Sequence, residues 1–176
     1  MMETLLNPPR TIKEVYEMLP EGTLAELINN NLYISPAPLY DHQKIVKGIS
    51  KELDKLVEDT GIGIVVNSPF DIKLDKANVV QPDIAVILKS NPHQIIEGRY
   101  SGVPDLVIEV LSAGNRNHDL VIKKELYERF GVKEYWIVDP ETNLALVFSL
   151  HENQYVKFWE GTRRVHSALL QANLEF

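Results

Sequence analysis

A carboxylate in the middle of an apolar strand is the feature that most restricts this chain: Leu106-Val107-Ile108-Glu109-Val110-Leu111. A second such segment precedes it, Pro82-Asp83-Ile84-Ala85-Val86-Ile87-Leu88. Asp and Glu are rarely buried unless they are paired or bound to a cation. An ionised carboxylate left alone in an apolar core raises its pKa until it neutralises. Two such residues on neighbouring strand-like segments suggest a metal site.

The rest of the pattern is α/β. Thr11, with Glu14 three positions on, predicts a capped helix over 11–18. Residues 24–28 and 32–35 read as a hairpin around Asn29-Asn30-Asn31, whose residues tolerate left-handed geometry. Ile45, Ile49, Leu53 and Leu56 give the helical repeat of a long helix over about 40–59, stopped by Gly61 and Gly63. Segments 62–66 and 70–74 read as a strand pair, the second alternating strictly. Strands at 82–88 and 105–111 are joined by a polar connector. A helix over 117–130 ends at Gly131, and strands follow at 134–138, 144–150 and 155–159. The expectation is one domain over 1–176, a mixed β-sheet core flanked by helices, with an N-terminal helix and β-hairpin.

The 176 residues contain no cysteine, which excludes disulfides, thiolate-zinc sites and cysteine nucleophiles. No apolar run approaches a membrane span, and Met1 to Arg10 lacks the blocks of a signal peptide, so a cytoplasmic protein is expected. The net charge of −7 argues against a surface coated by nucleic acid, but allows a local basic groove. Dinucleotide, phosphate-loop and serine-elbow motifs are absent, as is a zinc-type histidine pair.

Lys123 is the second clue. Winding residues 119–130 at about 100° per residue places Ile122, Leu126, Phe130, Tyr127 and Leu120 on one side. Lys123 falls within that apolar stripe, with Asp119 close by. A long side chain there can snorkel to water. Alternatively, the short turn after the Glu109 strand folds Lys123 back toward that carboxylate, as a salt bridge or as part of an active site. Two carboxylates and a lysine suit metal-dependent phosphodiester hydrolysis, since hard oxygen ligands select Mg²⁺ or Mn²⁺.

These residues belong to a longer ordered set. It comprises Leu32-Tyr33-Ile34-Ser35-Pro36-Ala37-Pro38 with His42-Gln43, then Asn78-Val79-Val80-Gln81-Pro82-Asp83, then Pro104 to Ser112. The Asp119/Lys123/Tyr127 helix and Gly131 to Pro140 complete it. The set resembles the PD-(D/E)XK restriction-endonuclease-like superfamily, and within it the Uma-two type family of restriction endonucleases, over roughly 24–150. Residues 1–23 are then an N-terminal helical extension. The resemblance implies a Mg²⁺- or Mn²⁺-dependent endonuclease acting on DNA, with Asp83 and Glu109 as metal ligands and Asp83, Glu109 and Lys123 as the catalytic set. It departs from the superfamily pattern at Leu111, where a strand lysine is expected; Lys123 on the following helix takes that place. Glu26 is implied as an accessory acidic residue. His42 is read either as a substrate contact or as a capping or surface histidine, and Tyr127 and Trp136 as core aromatics. A homodimer is expected from the resemblance alone, two sites serving two strands. Two other readings stand beside the nuclease: an inactive nucleic-acid- or protein-binding module on the same scaffold, and carboxylates paired within the core for structure only.

Overall fold

The computed structural model describes residues 8–176 except 94, 97, 113 and 115; the N-terminal part of the expected extension, residues 1–7, lies outside the described residues. Thr11 caps α1 (Ile12–Glu17), accepting from the Glu14 amide while the Glu14 carboxylate returns to the Thr11 amide. The hairpin β1 (Ala25–Ile28) and β2 (Asn31–Ile34) turns through Asn29 and Asn30 at φ 51° and 59°. Next comes α2 (Tyr40–Leu53), which widens into a π-helical turn over Asp54–Glu58.

The following strands are β3 (Gly63–Asn67), β4 (Ile72–Lys73), β5 (Val79–Val80) and β6 (Ile84–Leu88). Then come β7 (Ile95–Ile96), β8 (Arg99–Ser101) and β9 (Leu106–Val110). A second π-helical turn, His118–Lys123, leads into α3 (Lys124–Phe130), closed by left-handed Gly131 at φ 83°. The chain ends with β10 (Glu134–Asp139), β11 (Leu144–His151), β12 (Gln154–Thr162) and the hairpin β13 (Arg164–Ser167) and β14 (Ala172–Glu175).

Two six-stranded mixed sheets result, ordered β12-β11-β10-β9-β6-β3 and β2-β1-β5-β4-β8-β7. The larger sheet is apolar on both faces because it is covered on both. Ile84, Val86, Leu106, Ile108 and Trp136 pack under Ile45, Ile49 and Leu53 of α2 and under the C-terminal hairpin. Ala85, Ile87, Val107, Tyr135 and Ile137 meet α3 and the smaller sheet. Glu109 alternates onto this second face.

Three expectations are corrected. Segments 62–66 and 70–74 do not pair: β3 joins β6 in the larger sheet, whereas β4 joins β5 and β8 in the smaller one. Alternation shows which side of a strand is apolar but cannot name its neighbour. The polar connector after β6 carries two short strands, β7 and β8. Both long helices contain π-helical turns, so residues five apart stack there and the ideal-helix phase slips.

Candidate active site

The antiparallel register of β6 and β9 pairs Ile84 with Ile108 and Ala85 with Val107. Continued by one residue, it sets Asp83 opposite Glu109, just before β6 begins. Asp83 is fixed there by its Oδ2, which accepts from the Val110 amide at 2.7 Å and lies 3.1 Å from His42 Nε2. His42, in the first turn of α2, is buried rather than on the surface, and the helix cap is Leu39 with no side-chain bond. The capping or surface reading of His42 is therefore wrong. Burial alone would lower its pKa; the hydrogen bond and charge of Asp83 outweigh that and raise it.

Lys123 is 5% exposed and does not snorkel. Its ammonium lies 2.9 Å from Glu109 Oε1, 3.0 Å from Glu26 Oε1 and 3.7 Å from Asp119 Oδ1. The π-helical turn stacks His118 over Lys123, five residues on, and both reach Glu26: His118 Nε2 lies 3.3 Å from Glu26 Oε2. The Gln81 amide donates to Glu26 Oε1 at 2.8 Å, and the Tyr33 ring packs 4.6 Å from the His118 ring. Tyr127 is a core aromatic as expected, but its hydroxyl also donates to Glu109 Oε1 at 2.9 Å. Its position one turn beyond Lys123 was a signal for this in the sequence. The contact between Glu26 and His118 had none, because it depends on the π-helical phase.

Three carboxylates compete for one ammonium, and they fare differently. Burial would raise the Glu26 pKa, but the Lys123 charge and the bonds from His118 and Gln81 hold it at about 2. Glu109 goes the other way: burial, reinforced by Asp119, Asp83 and Glu26, outweighs Lys123 and pushes it well above the usual range. Asp119 is likewise raised by burial against the pull of Lys123. Lys123 would be lowered by burial, but Glu109, Glu26 and Asp119 keep it protonated. The ammonium is thus shared between Glu109 and Glu26, with Asp119 at longer range.

Both bonds to Glu109 fall on Oε1 and both contacts of Asp83 fall on Oδ2. Among the described residues nothing donates to Glu109 Oε2 or Asp83 Oδ1. Two hard carboxylate oxygens fit Mg²⁺ or Mn²⁺. Among the described residues no group of three His, Asp or Glu side chains is placed to hold a metal ion. Mg²⁺ does not require that, since it is commonly held by one or two carboxylates and keeps several waters. Elsewhere, Arg116 turns away to pair with Asp139 at 2.7 Å, and exposed Asp71 accepts from Gln81 Nε2.

The sequence matches the Uma2 family, whose description is "Putative restriction endonuclease", over residues 12–175. The chain belongs to this family. The Uma2 match extends well past the 24–150 stretch in which the motifs lie, and takes in both α1 and the C-terminal hairpin. The architecture is similar to a crystal structure described as that of "a putative nuclease belonging to DUF820" from Anabaena variabilis, with a TM-score of 0.76. Sequence identity is 18% and 95% of each chain is covered, so the likeness shows the shared mixed α/β fold alone. No curated protein sequence matches the chain. Among the described residues no helix is long and apolar enough to cross a membrane.

Proposed function

We propose that this chain is a cytoplasmic, divalent-metal-dependent endonuclease that hydrolyses DNA phosphodiester bonds. Residues 1–176 are read as one nuclease-like domain, with Asp83, Glu109 and Lys123 as catalytic residues and Asp83 and Glu109 holding Mg²⁺ or Mn²⁺. The observation that carries the reading is the convergence of these side chains with one oxygen of each carboxylate uncommitted. Membership of the Uma2 family supports the reaction class.

When bound, the ion lowers the pKa of a water and offsets charge on the phosphoryl oxygens. The chain's own residues do the positioning. His42 and the Val110 amide fix Asp83, while Tyr127 and Lys123 fix Glu109. Lys123 supplies a fixed positive charge beside the reacting phosphate. Glu26 holds that ammonium in place, and His118 and the Gln81 amide hold Glu26. A two-fold homodimer would give one site per DNA strand; sedimentation of the purified chain checks it, with a 20 kDa species counting against.

The test is cleavage of plasmid and single-stranded DNA with Mg²⁺ or Mn²⁺. Glu109→Ala and Lys123→Ala should each lose activity while remaining folded. Equal cleavage by wild type and both variants removes the assignment. One observation favours a second reading, an inactive binding module: Lys123 is already engaged by two carboxylates. Calorimetry with Mn²⁺ separates the two, because a closed ion pair binds no metal.

A further inference from the structure

We propose that the exposed face of α2 is the track along which a DNA strand enters the candidate site, with Leu39 and Tyr40 contacting unpaired bases beside the scissile phosphate. This rests on the nuclease reading and adds to it a substrate class: DNA with at least one strand locally unpaired.

The helix begins at the site, since His42 in its first turn touches Asp83. At about 100° per residue, Tyr40, Lys44, Lys47 and Lys51 fall within an arc of about 60°. All four are exposed. Asp41 and Glu52, the acidic residues of Tyr40–Leu53, lie to one side of that arc, and the C-terminal Phe176 packs against Gly48 on the same flank; exposed Asp54, in the π-helical turn just past Lys51, ends the stripe. An ordinary solvated helix face mixes charges in pairs, as Glu52 and Lys55 do one turn on at 2.5 Å. Among the described residues Lys44, Lys47 and Lys51 have no acidic partner. In a chain of net charge −7 this is an unneutralised cationic stripe. From Lys44 to Lys51 it runs about 10 Å along the helix, the length of about three phosphates of one strand.

At the end of the stripe nearest the site the chemistry changes from cationic to apolar. Leu39 and Tyr40 are 77% and 79% exposed, and Ile34 64%. The segment that carries them is tied to the site at both ends, through Tyr33 against His118 and His42 against Asp83. Pro36 and Pro38 stiffen it. It contains no lysine or arginine, so it suits bases rather than phosphates. Aromatic side chains hold unpaired bases by stacking, irrespective of sequence. A paired duplex hides those base faces. A second protein seated on this rim would block access to the candidate site.

The experiment measures binding of a fluorescein-labelled single-stranded oligonucleotide, and of its duplex, to the full chain in EDTA across a NaCl series. The K44Q/K47Q/K51Q protein should lose at least tenfold in affinity for the single strand. Its plot of log affinity against log salt should flatten by about 2, at about 0.7 per phosphate contact for single strands. A control with the same charge change elsewhere, K73Q/K76Q/K89Q, should lose less than twofold. Tyr40→Ala should weaken single-strand binding at least fivefold and leave duplex binding unchanged. All variants are exposed substitutions, and unchanged thermal midpoints confirm folding. The proposal fails if the α2 variant binds like wild type or if the control loses as much. It also fails if Tyr40→Ala alters sedimentation instead of DNA binding, which would make the rim a contact between copies. If wild-type cleavage depends on Glu109 but not on the α2 lysines, the track is wrong and the nuclease reading stands. If the lysines govern binding but Glu109→Ala does not change cleavage, the reverse holds.

Discussion

Strand β9 has a buried carboxylate near each end, and the two have opposite characters. Asp105, just before the strand, is 1% exposed; Glu109, near its end, is 3% exposed. Each lies within 3 Å of a lysine ammonium. At Asp105 both oxygens are taken: Oδ2 by the Leu88 amide and Asn91 Nδ2, and Oδ1 by Lys133 at 2.6 Å. Lys133 itself stands 55% exposed, its charge solvated. At Glu109 the bonds fall on one oxygen, the lysine is buried, and three further carboxylates surround it. A buried acid is structural when its lone pairs are filled and its countercharge undivided. It is available for chemistry when one oxygen is spare and the countercharge is shared.

The largest expected effect separates the two ends outright. Glu109→Gln should reduce metal-dependent DNA cleavage by at least about a hundredfold, as removal of a charge-stabilising group does, with the fold intact. Asp105→Asn should instead lower the unfolding free energy in urea, by about 1–3 kcal/mol for unsatisfied buried donors, while activity per folded molecule persists. Loss of cleavage in Asp105→Asn without loss of stability would erase the distinction.

Removing the two lysines sharpens the comparison. Lys123→Met leaves Glu26, Glu109 and Asp119 without their cation and should cost about 3–5 kcal/mol near neutral pH. Without Lys123 all three acids resist ionisation in the folded state. A carboxylate whose folded pKa is raised contributes stability that is present below its ordinary value and lost as pH rises through the folded one. The Lys123→Met penalty should therefore be larger at pH 8 than at pH 5. Lys133→Met should cost less than about 1 kcal/mol, as for exposed pairs. Denaturant midpoints at both pH values measure this, and equal penalties for the two lysines would contradict it.

Divalent ions should act at one end only. In wild type the raised Glu109 pKa means that stability falls as pH rises above the ordinary carboxylate range. Mn²⁺ at about 100 times its dissociation constant should restore about 2.7 kcal/mol, more at pH 8 than at pH 5. Glu109→Gln should lose this thermal shift and Asp105→Asn keep it. A further effect concerns Glu26. Its pKa, held at about 2, contributes stability present above about 4.5 and lost as pH falls toward 2. Glu26→Gln should flatten the acid limb of the stability curve by about 3 kcal/mol. An unchanged acid limb would show that Lys123 does not rely on Glu26.

Much of this arrangement is written in local pattern. The capping box at Thr11, the Asn turn at 29–30, the strand after Asp83, the strand holding Glu109, and Lys123 on an apolar stripe are properties of neighbouring residues. Hydrogen-bond reach and side-chain periodicity act over a few positions, so sequence reports them. The partner of β3, the small strands after β6 and the place of His42 are decided by which surfaces meet, and no local signal carries that. The π-helical phase that brings His118 and Lys123 to one Glu26 belongs with these. So does the difference between Asp105 and Glu109. Sequence shows that a carboxylate is buried, but only the packing of distant segments decides whether every oxygen finds a donor, because those donors come from 14 to 28 residues away.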